Sequence, residues 1–321
     1  MPIESPTIGQ PRCVEFGIYI PQVGLTFEDL QTRARRCEDL GYGSFWLFDH
    51  LYAPGLPDQP ALEGWTTATA LLCGTTRLRV GHLVLNNNLR HPALVARMAS
   101  TLDVISDGRL DIGIGSGSDP AEHDEAGLPW GSMAARSERL AEALEVLTRM
   151  FSGERATFEG GHYRIRELPN LPRSVQQPHP PIHIGGAGVR YTLPLVARYA
   201  DVWNVPTYAL GDWASKIPVL DELCAVAGRD PASIRRSLEA VLVLAASPSS
   251  LEPTQTRAER RYGGPGWGLR EGGFIGTPSM VVDRIGEAAE NGVSLLVFFP
   301  SDRGAGDMLE LFASEVMPHF R

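Results

Sequence analysis

The stretch SFWLFDH (residues 44–50) places large apolar side chains at Phe45, Trp46, Leu47 and Phe48, then ends on Asp49 and His50. A strand apolar at consecutive positions is buried on both faces, as in a parallel sheet covered by helices. Its neighbours fit that setting. Upstream lies a helical pattern entered through Thr26, with Asp29 in capping-box position and Gly41 as a stop. Downstream, GWTTATALLCG (64–74) reads as another helix.

The alternation runs the length of the chain. Strands are expected at 14–21, 44–50, 77–86, 109–117, 180–186, 200–206, 235–246 and 293–300. Helices fall between them, including one from Pro92 to Gly108, one over 133–152 with Leu140, Leu144, Leu147 and Phe151 in register, and one entered through Thr277 and Pro278. Eight strands, each followed by a helix, are the arithmetic of a (β/α)8 TIM barrel in the α/β class, and a doubly wound sheet is the alternative. Two insertions interrupt the rhythm. Residues 153–179, before strand five, read as a short hairpin and a proline-rich crossing; residues 247–276, after strand seven, read as a long irregular loop and candidate lid. No repeat or linker divides residues 1–321, so one domain is expected.

Composition narrows the function. The 321 residues are 43% hydrophobic and 21% charged, with net charge −9, which opposes a broad nucleic-acid footprint. Lys216 is the only lysine. Cys13, Cys37, Cys73 and Cys224 are scattered, as thiols of a reduced compartment are. MPIESPTIGQP at the start is too polar for a signal peptide, and no apolar run is long enough to span a bilayer, so a soluble cytoplasmic protein is expected.

In a barrel the active face is the C-terminal end of the strands. There Asp49 and His50 close strand two, and histidine is the side chain able to give or take a proton near neutral pH. Strand three ends in Asn86–Asn88, read mainly as a solvated turn, with Arg90 and His91 beyond as candidates to face an anionic or planar ligand. The glycines of GIGSGSD (113–119) permit close approach of a flat ligand, and Glu122–Glu125 read as a solvated acidic turn rather than metal ligands. Gly185, Gly186 and Gly188 lead into a helix, either as a phosphate site or as a tight turn. Trp203 and Asn204 close strand six. No metal pair, P-loop or nucleophile elbow is present, and no metal site is expected.

Taken together, FGIYIPQ, FWLFDHL, RHPALVARMASTLDVISDGRLDIGIGSG, PPIHIGGAGVRYTLPLVARYADVWN and GTPSMVVDRI resemble the luciferase-like monooxygenase superfamily, nearest its coenzyme F420-dependent oxidoreductase branch. The resemblance implies a cofactor at the strand ends and a cis non-proline bulge in strand three near His82–Leu83. It also implies that Asp49 contacts the deazaflavin, Ser116 and Gly117 line it, and Gly186, Ala187 and Gly188 hold its phosphate. His50 becomes the proton donor in a hydride transfer to or from a carbonyl, alkene or imine. Ser118 stands where the sugar-phosphate dehydrogenases of the branch carry a glutamate, which argues against that reaction. The alternatives are an FMN-dependent monooxygenase served by a separate reductase, a non-catalytic flavin-binding barrel and a metal-dependent hydrolase. Tyr52, Trp65, Trp203 and Trp267 form the expected pocket for an apolar or aromatic small molecule. Arg257, Arg260, Arg261 and Arg270 are either contacts for the F420 tail or a solvated helix face, and a homodimer is common in the family.

Overall fold

The computed structural model describes residues 13–264 and 266–321; the polar N-terminal stretch lies outside them. Eight strands form a closed, all-parallel ring: β1 (Glu15–Tyr19), β2 (Ser44–Leu47), β3 (Arg79–His82), β5 (Leu110–Gly115), β8 (Ile182–Gly185), β9 (Val202–Val205), β10 (Arg235–Leu244) and β12 (Val293–Pro300), with β12 pairing back onto β1. Two-residue β4 (Leu85–Asn86) continues β3 and pairs β5. The helix layer comprises α1 (Phe27–Leu40), α2 (Gly64–Gly74), α3 (Pro92–Ser106), α5 (Met133–Phe151), α6 (Leu193–Tyr199), α7 (Ile217–Ala227), α10 (Pro278–Glu290) and α11 (Met308–Glu315). The barrel reading is therefore correct.

Local chemistry sets the boundaries. Thr26 Oγ1 accepts from the Asp29 N–H at 3.1 Å while Asp29 Oδ2 accepts from the Thr26 N–H at 3.0 Å, and α1 stops at Gly41 with φ 86°. Pro278 opens α10 as expected, but the Thr277 side chain makes no capping bond. The first insertion holds the expected hairpin, β6 (Ala156–Glu159) with β7 (Arg164–Leu168). The second is not an irregular lid. It folds as α8 (Pro248–Tyr262), α9 (Leu269–Gly272) and β11 (Phe274–Gly276), the last pairing in parallel with β10. Ser247 and Ser250 form a capping box at the start of α8, and Ala258 and Tyr262 give it a buried face.

Strand alternation decides what points inward. On β2, Phe45 and Leu47 pack against the helices while Trp46 enters the barrel. Glycines make room for it: a Cβ at Gly81 would stand 2.6 Å from Trp46 Cζ3, and one at Gly17 would stand 2.8 Å from its Nε1. Trp46 joins Leu83, Leu295 and Val297 in an apolar layer. At the N-terminal end of the barrel, Arg79 binds Asp111 through Nε at 2.8 Å, and His183 Nε2 lies 3.2 Å from the same carboxylate.

The cis non-proline peptide is present one bond beyond the expected place, at Leu83–Val84. Here the strand lifts into the barrel, and the glycines of β5 accommodate it. A Cβ at Gly113 would meet the His82 carbonyl oxygen at 1.9 Å, and one at Gly115 would meet Val84 Cγ2 at 2.6 Å. The bare backbone of β5 thus serves the neighbouring strand as well as any ligand.

Candidate active site

A cavity of about 270 Å³ opens at the C-terminal ends of the strands. Leu83, Val84 and Asn86 form one wall, Gly115 to Ser118 the next, and Gly185, Asn204, Thr207 and Tyr208 the far side. Tyr19, Asp49, His50 and Glu239 complete it.

His50 is held by a residue that the sequence reading left in solvent. Glu122 lies on α4 (Pro120–Glu125), a short helix capped by Asp119, and is 1% exposed. Its Oε2 is 3.0 Å from His50 Nδ1, and its Oε1 accepts the Leu51 N–H. Burial pushes the Glu122 pKa up, but the bonds from His50 and Leu51 and the charges of His50 and His123 outweigh it, leaving the carboxyl below its ordinary range. With Nδ1 committed to Glu122, Nε2 is the nitrogen left to exchange a proton. The expectation of a solvated acidic turn at 122–125 is corrected for Glu122 and His123, because a helical turn folds both inward.

Asp49 has a structural task. Its carboxylate takes both guanidinium nitrogens of Arg90 at 2.8 and 2.9 Å, and its Oδ2 accepts the Asn86 N–H at 2.9 Å. Arg90 also reaches Glu63, which caps α2. Arg90 is thus committed to carboxylates rather than turned to a ligand. His91 caps α3 through Nδ1.

Asn86 and Asn87 are buried and Asn88 is half-buried, so the triplet is bonded structure, not a solvated turn. Asn86 Oδ1 accepts from both the backbone and side-chain nitrogens of Asn88. Asn88 donates to the Ser116 carbonyl and accepts from Arg139, and Asn87 donates to Tyr163 Oη. These bonds lock the turn after β4 to the Ser116–Gly117 segment.

Glu239, absent from the expected site, sits on β10 with its side chain at the cavity wall. Burial raises its pKa to about 7, against a small lowering by the Asn204 amide. The inward alternation Ser237, Glu239, Val241, Val243 was the signal that could have found it.

Among the expected cofactor residues, Leu83, Ser116, Gly117 and Asp49 line the cavity, but the His82 ring does not. It is fully buried and stacked on Trp65 at 5.5 Å and 11°, where burial holds its pKa down. Gly186, with φ 127°, Ala187 and Gly188 form the turn before α6. Of the expected pocket aromatics, Trp65 is occupied with His82 in the helix layer. Trp203 points outward, because the alternation of β9 turns Asn204 in, and its Nε1 donates to the Gly186 carbonyl at 2.8 Å. Tyr52 is bound to Glu125, whose hydrogen bond pushes the phenol up to about 12. Of the four, Trp267 lines the chamber beside the cavity, whereas Trp65 borders only a separate surface pocket on the helix layer.

That chamber, about 480 Å³, adjoins the cavity and shares Tyr19 and His50 with it. Phe48, Tyr262, Trp267 and Phe299 form an aromatic side of its wall, with Trp267 stacked on Phe299 at 5.5 Å, and Arg261 and Arg303 also line it. The arginines of the second insertion lie outside the cavity: Arg257, Arg260, Arg261 and Arg270 are exposed, and only Arg261 reaches the chamber. Among the described residues there is no cluster with metal-ligating composition and no helix long and apolar enough to cross a membrane.

A closed parallel barrel with a histidine–carboxylate pair at the C-terminal rim defines the class as a (β/α)8 barrel with a candidate active site at its mouth. Residues 14–264 match the family model of the luciferase-like monooxygenases, and the chain belongs to that family. It is 31% identical over 198 residues to an F420-dependent glucose-6-phosphate dehydrogenase of Microbacterium testaceum, covering 60% of this chain and 57% of that protein. It is 27% identical over 236 residues to an F420-dependent hydroxymycolic acid dehydrogenase of Mycobacterium tuberculosis, covering 73% and 64%. The fold is shared by the coenzyme F420-dependent tetrahydromethanopterin reductase of Methanopyrus kandleri (TM-score 0.76, 22% identity, 96% and 99% covered). It is shared equally by the monooxygenase RslO1 of Streptomyces bottropensis (TM-score 0.78, 22% identity, 96% and 100% covered). The protein is an oxidoreductase.

Proposed function

We propose that this protein transfers a hydride between coenzyme F420 and a small organic substrate bearing a carbonyl, alkene or imine, with His50 supplying the proton. The observation that carries this reading is the His50–Glu122 pair at the junction of the cavity and the apolar chamber. Leu83, Val84, Ser116 and Gly117 would hold the cofactor ring in the cavity, and the Gly186–Gly188 turn would hold its phosphate. The residues fit such a group: the wall is flat where Gly115, Gly117 and Gly185 lack side chains, and the buried amide nitrogen of Asn204 has no protein partner. When bound, F420 accepts or donates the hydride.

The chain's own residues do the rest. Glu122 fixes the imidazole tautomer and ring plane, so that Nε2 faces the reacting molecule. The chamber walled by Phe48, Tyr262, Trp267 and Phe299 takes the apolar body of the substrate and excludes water from it.

The test is a titration of the purified protein with F420 and with FMN, followed by His50→Ala. The expected outcome is tighter binding of F420, retained in the variant, with turnover lowered about 10²–10⁴-fold. Preference for FMN would move the protein to the monooxygenase side of the family. Unchanged turnover in His50→Ala would remove His50 from the reaction.

A further inference from the structure

The inner wall of the cavity carries an acid and an amide that the His50 chemistry leaves unused. Asn204 is 1% exposed and lines the cavity. Its Oδ1 accepts from Ser237 Oγ at 3.0 Å, which fixes the amide plane and commits the oxygen. Its Nδ2 is left as a buried donor without a partner, the one such side-chain atom among the residues lining this cavity. A buried donor without an acceptor costs about 1–3 kcal/mol, a cost removed when a ligand brings the acceptor.

Glu239 stands next to it, since Asn204 pairs in register with Ser237 and Glu239 is the next inward residue of β10. The groups that face it are Tyr19 on β1, Tyr208 in the turn after β9, Asn204 itself, and apolar Val297 in register on β12. Across the cavity, Asp49 is neutralised by Arg90 and His50 is paired with Glu122. No lysine or arginine lines the cavity, so only the neighbouring Asn204 amide offsets the cost of a carboxylate on Glu239. Burial accordingly raises its pKa to about 7, and both tyrosines are held up in turn, Tyr19 by burial and then by Glu239.

We infer that Glu239 and Asn204 form a two-donor cradle for a carbonyl oxygen of the bound ligand, with Glu239 acting as a neutral carboxylic acid. The oxygen belongs either to the cofactor ring or to the substrate. Asn204 is buried and held in plane by Ser237, and Glu239 stands half-buried beside it, so the pair holds that oxygen with little reorganisation and stabilises charge that grows on it. Deprotonation of Glu239 removes one donor and puts a negative charge against the acceptor, so binding tracks the protonated fraction. The inference rests on the cofactor reading above.

The experiment compares wild type, Glu239→Gln and Asn204→Ala between pH 6 and 9, reading cofactor affinity by fluorescence and acceptor KM by steady-state kinetics. If the oxygen is the cofactor's, wild-type affinity for F420 falls by up to about tenfold per pH unit above 7, and Glu239→Gln, which keeps an N–H donor, is flat. If it is the substrate's, cofactor affinity is flat and the acceptor KM rises instead, again only in wild type. Asn204→Ala weakens the same ligand at every pH. Flat wild-type profiles for both ligands, or the same alkaline loss in Glu239→Gln, overturn the cradle while leaving the proposed function intact. In the unliganded protein, the infrared band of a protonated carboxyl is expected at pH 6 and lost by pH 8.5, and absent from Glu239→Gln. If neither F420 nor FMN binds at any pH, the proposed function falls. That band alone then upholds or overturns Glu239 as a neutral donor.

Discussion

Val84 is wedged between two strands, and the wedge makes a quantitative prediction. A Cβ on Gly115 would lie 2.6 Å from Val84 Cγ2 and 3.8 Å from Val84 Cβ, and a Cβ on Gly185 would lie 2.8 Å from Val84 Cγ1. Ordinary carbon contacts sit at about 3.5–4.0 Å, so Gly115→Ala intrudes by about 1 Å on a single methyl. Overpacking of this kind costs about 1–3 kcal/mol. Val84→Ala deletes the offending methyl and leaves 3.8 Å to the next atom, so the double variant should regain most of the loss. The coupling energy should exceed about 1 kcal/mol. Gly113→Ala is the control: its Cβ would meet the His82 carbonyl oxygen at 1.9 Å, which is backbone, and Val84→Ala should not rescue it. Urea unfolding midpoints of wild type, the three single variants and the two double variants measure all of this. A Gly115→Ala midpoint equal to wild type, or strictly additive losses in the double variant, would refute the wedge.

The remaining predictions concern protons. Glu122→Gln should lower turnover about 10-fold or more with cofactor affinity kept, because the imidazole loses its charged partner; single-turnover rates check it. Because the Glu122 pKa is lowered on folding, its contribution to stability is present above the unfolded value and lost as pH falls through the folded one. Acid unfolding of wild type should therefore be steeper than that of Glu122→Gln. Glu239 runs the other way. Its pKa rises from 4.5 to about 7 on folding, so its stability is complete below the unfolded value and lost as pH climbs through 7. That loss approaches about 3 kcal/mol, and Glu239→Gln should not show it in urea titrations at pH 5 and 8.5.

The frame of the barrel was readable because each element carries its own local signal. Thr26 with Asp29, Pro92 and Gly41 mark helix ends through bonds made within a few residues. Asp49 and His50 were readable because topology alone carries the end of β2 to the active face. The misses share a cause: they depend on contacts between distant loops or on which of two faces a residue takes. Glu122 meets His50 across 72 residues, through a six-residue helix whose inward side only the packed loop defines. Trp203 and Asn204 are adjacent, and strand parity sends one to the helices and the other to the cavity. Trp65 looked like a pocket aromatic because nothing local shows that His82 lies beneath it.

Trp46 gives the barrel a direction. With Leu83, Leu295 and Val297 it forms a dry stopper between the Arg79–Asp111–His183 cluster and the cavity that Glu239 faces. Hydrogen-bonded wires that conduct protons need polar stepping stones, and the one polar atom on these four side chains, Trp46 Nε1, is committed to Ser44 Oγ at 2.8 Å. The vessel is wet at one end only. Every proton that reloads Glu239 or His50 must enter by the same doorway as the substrate, so a bound guest also closes the route by which the enzyme is recharged.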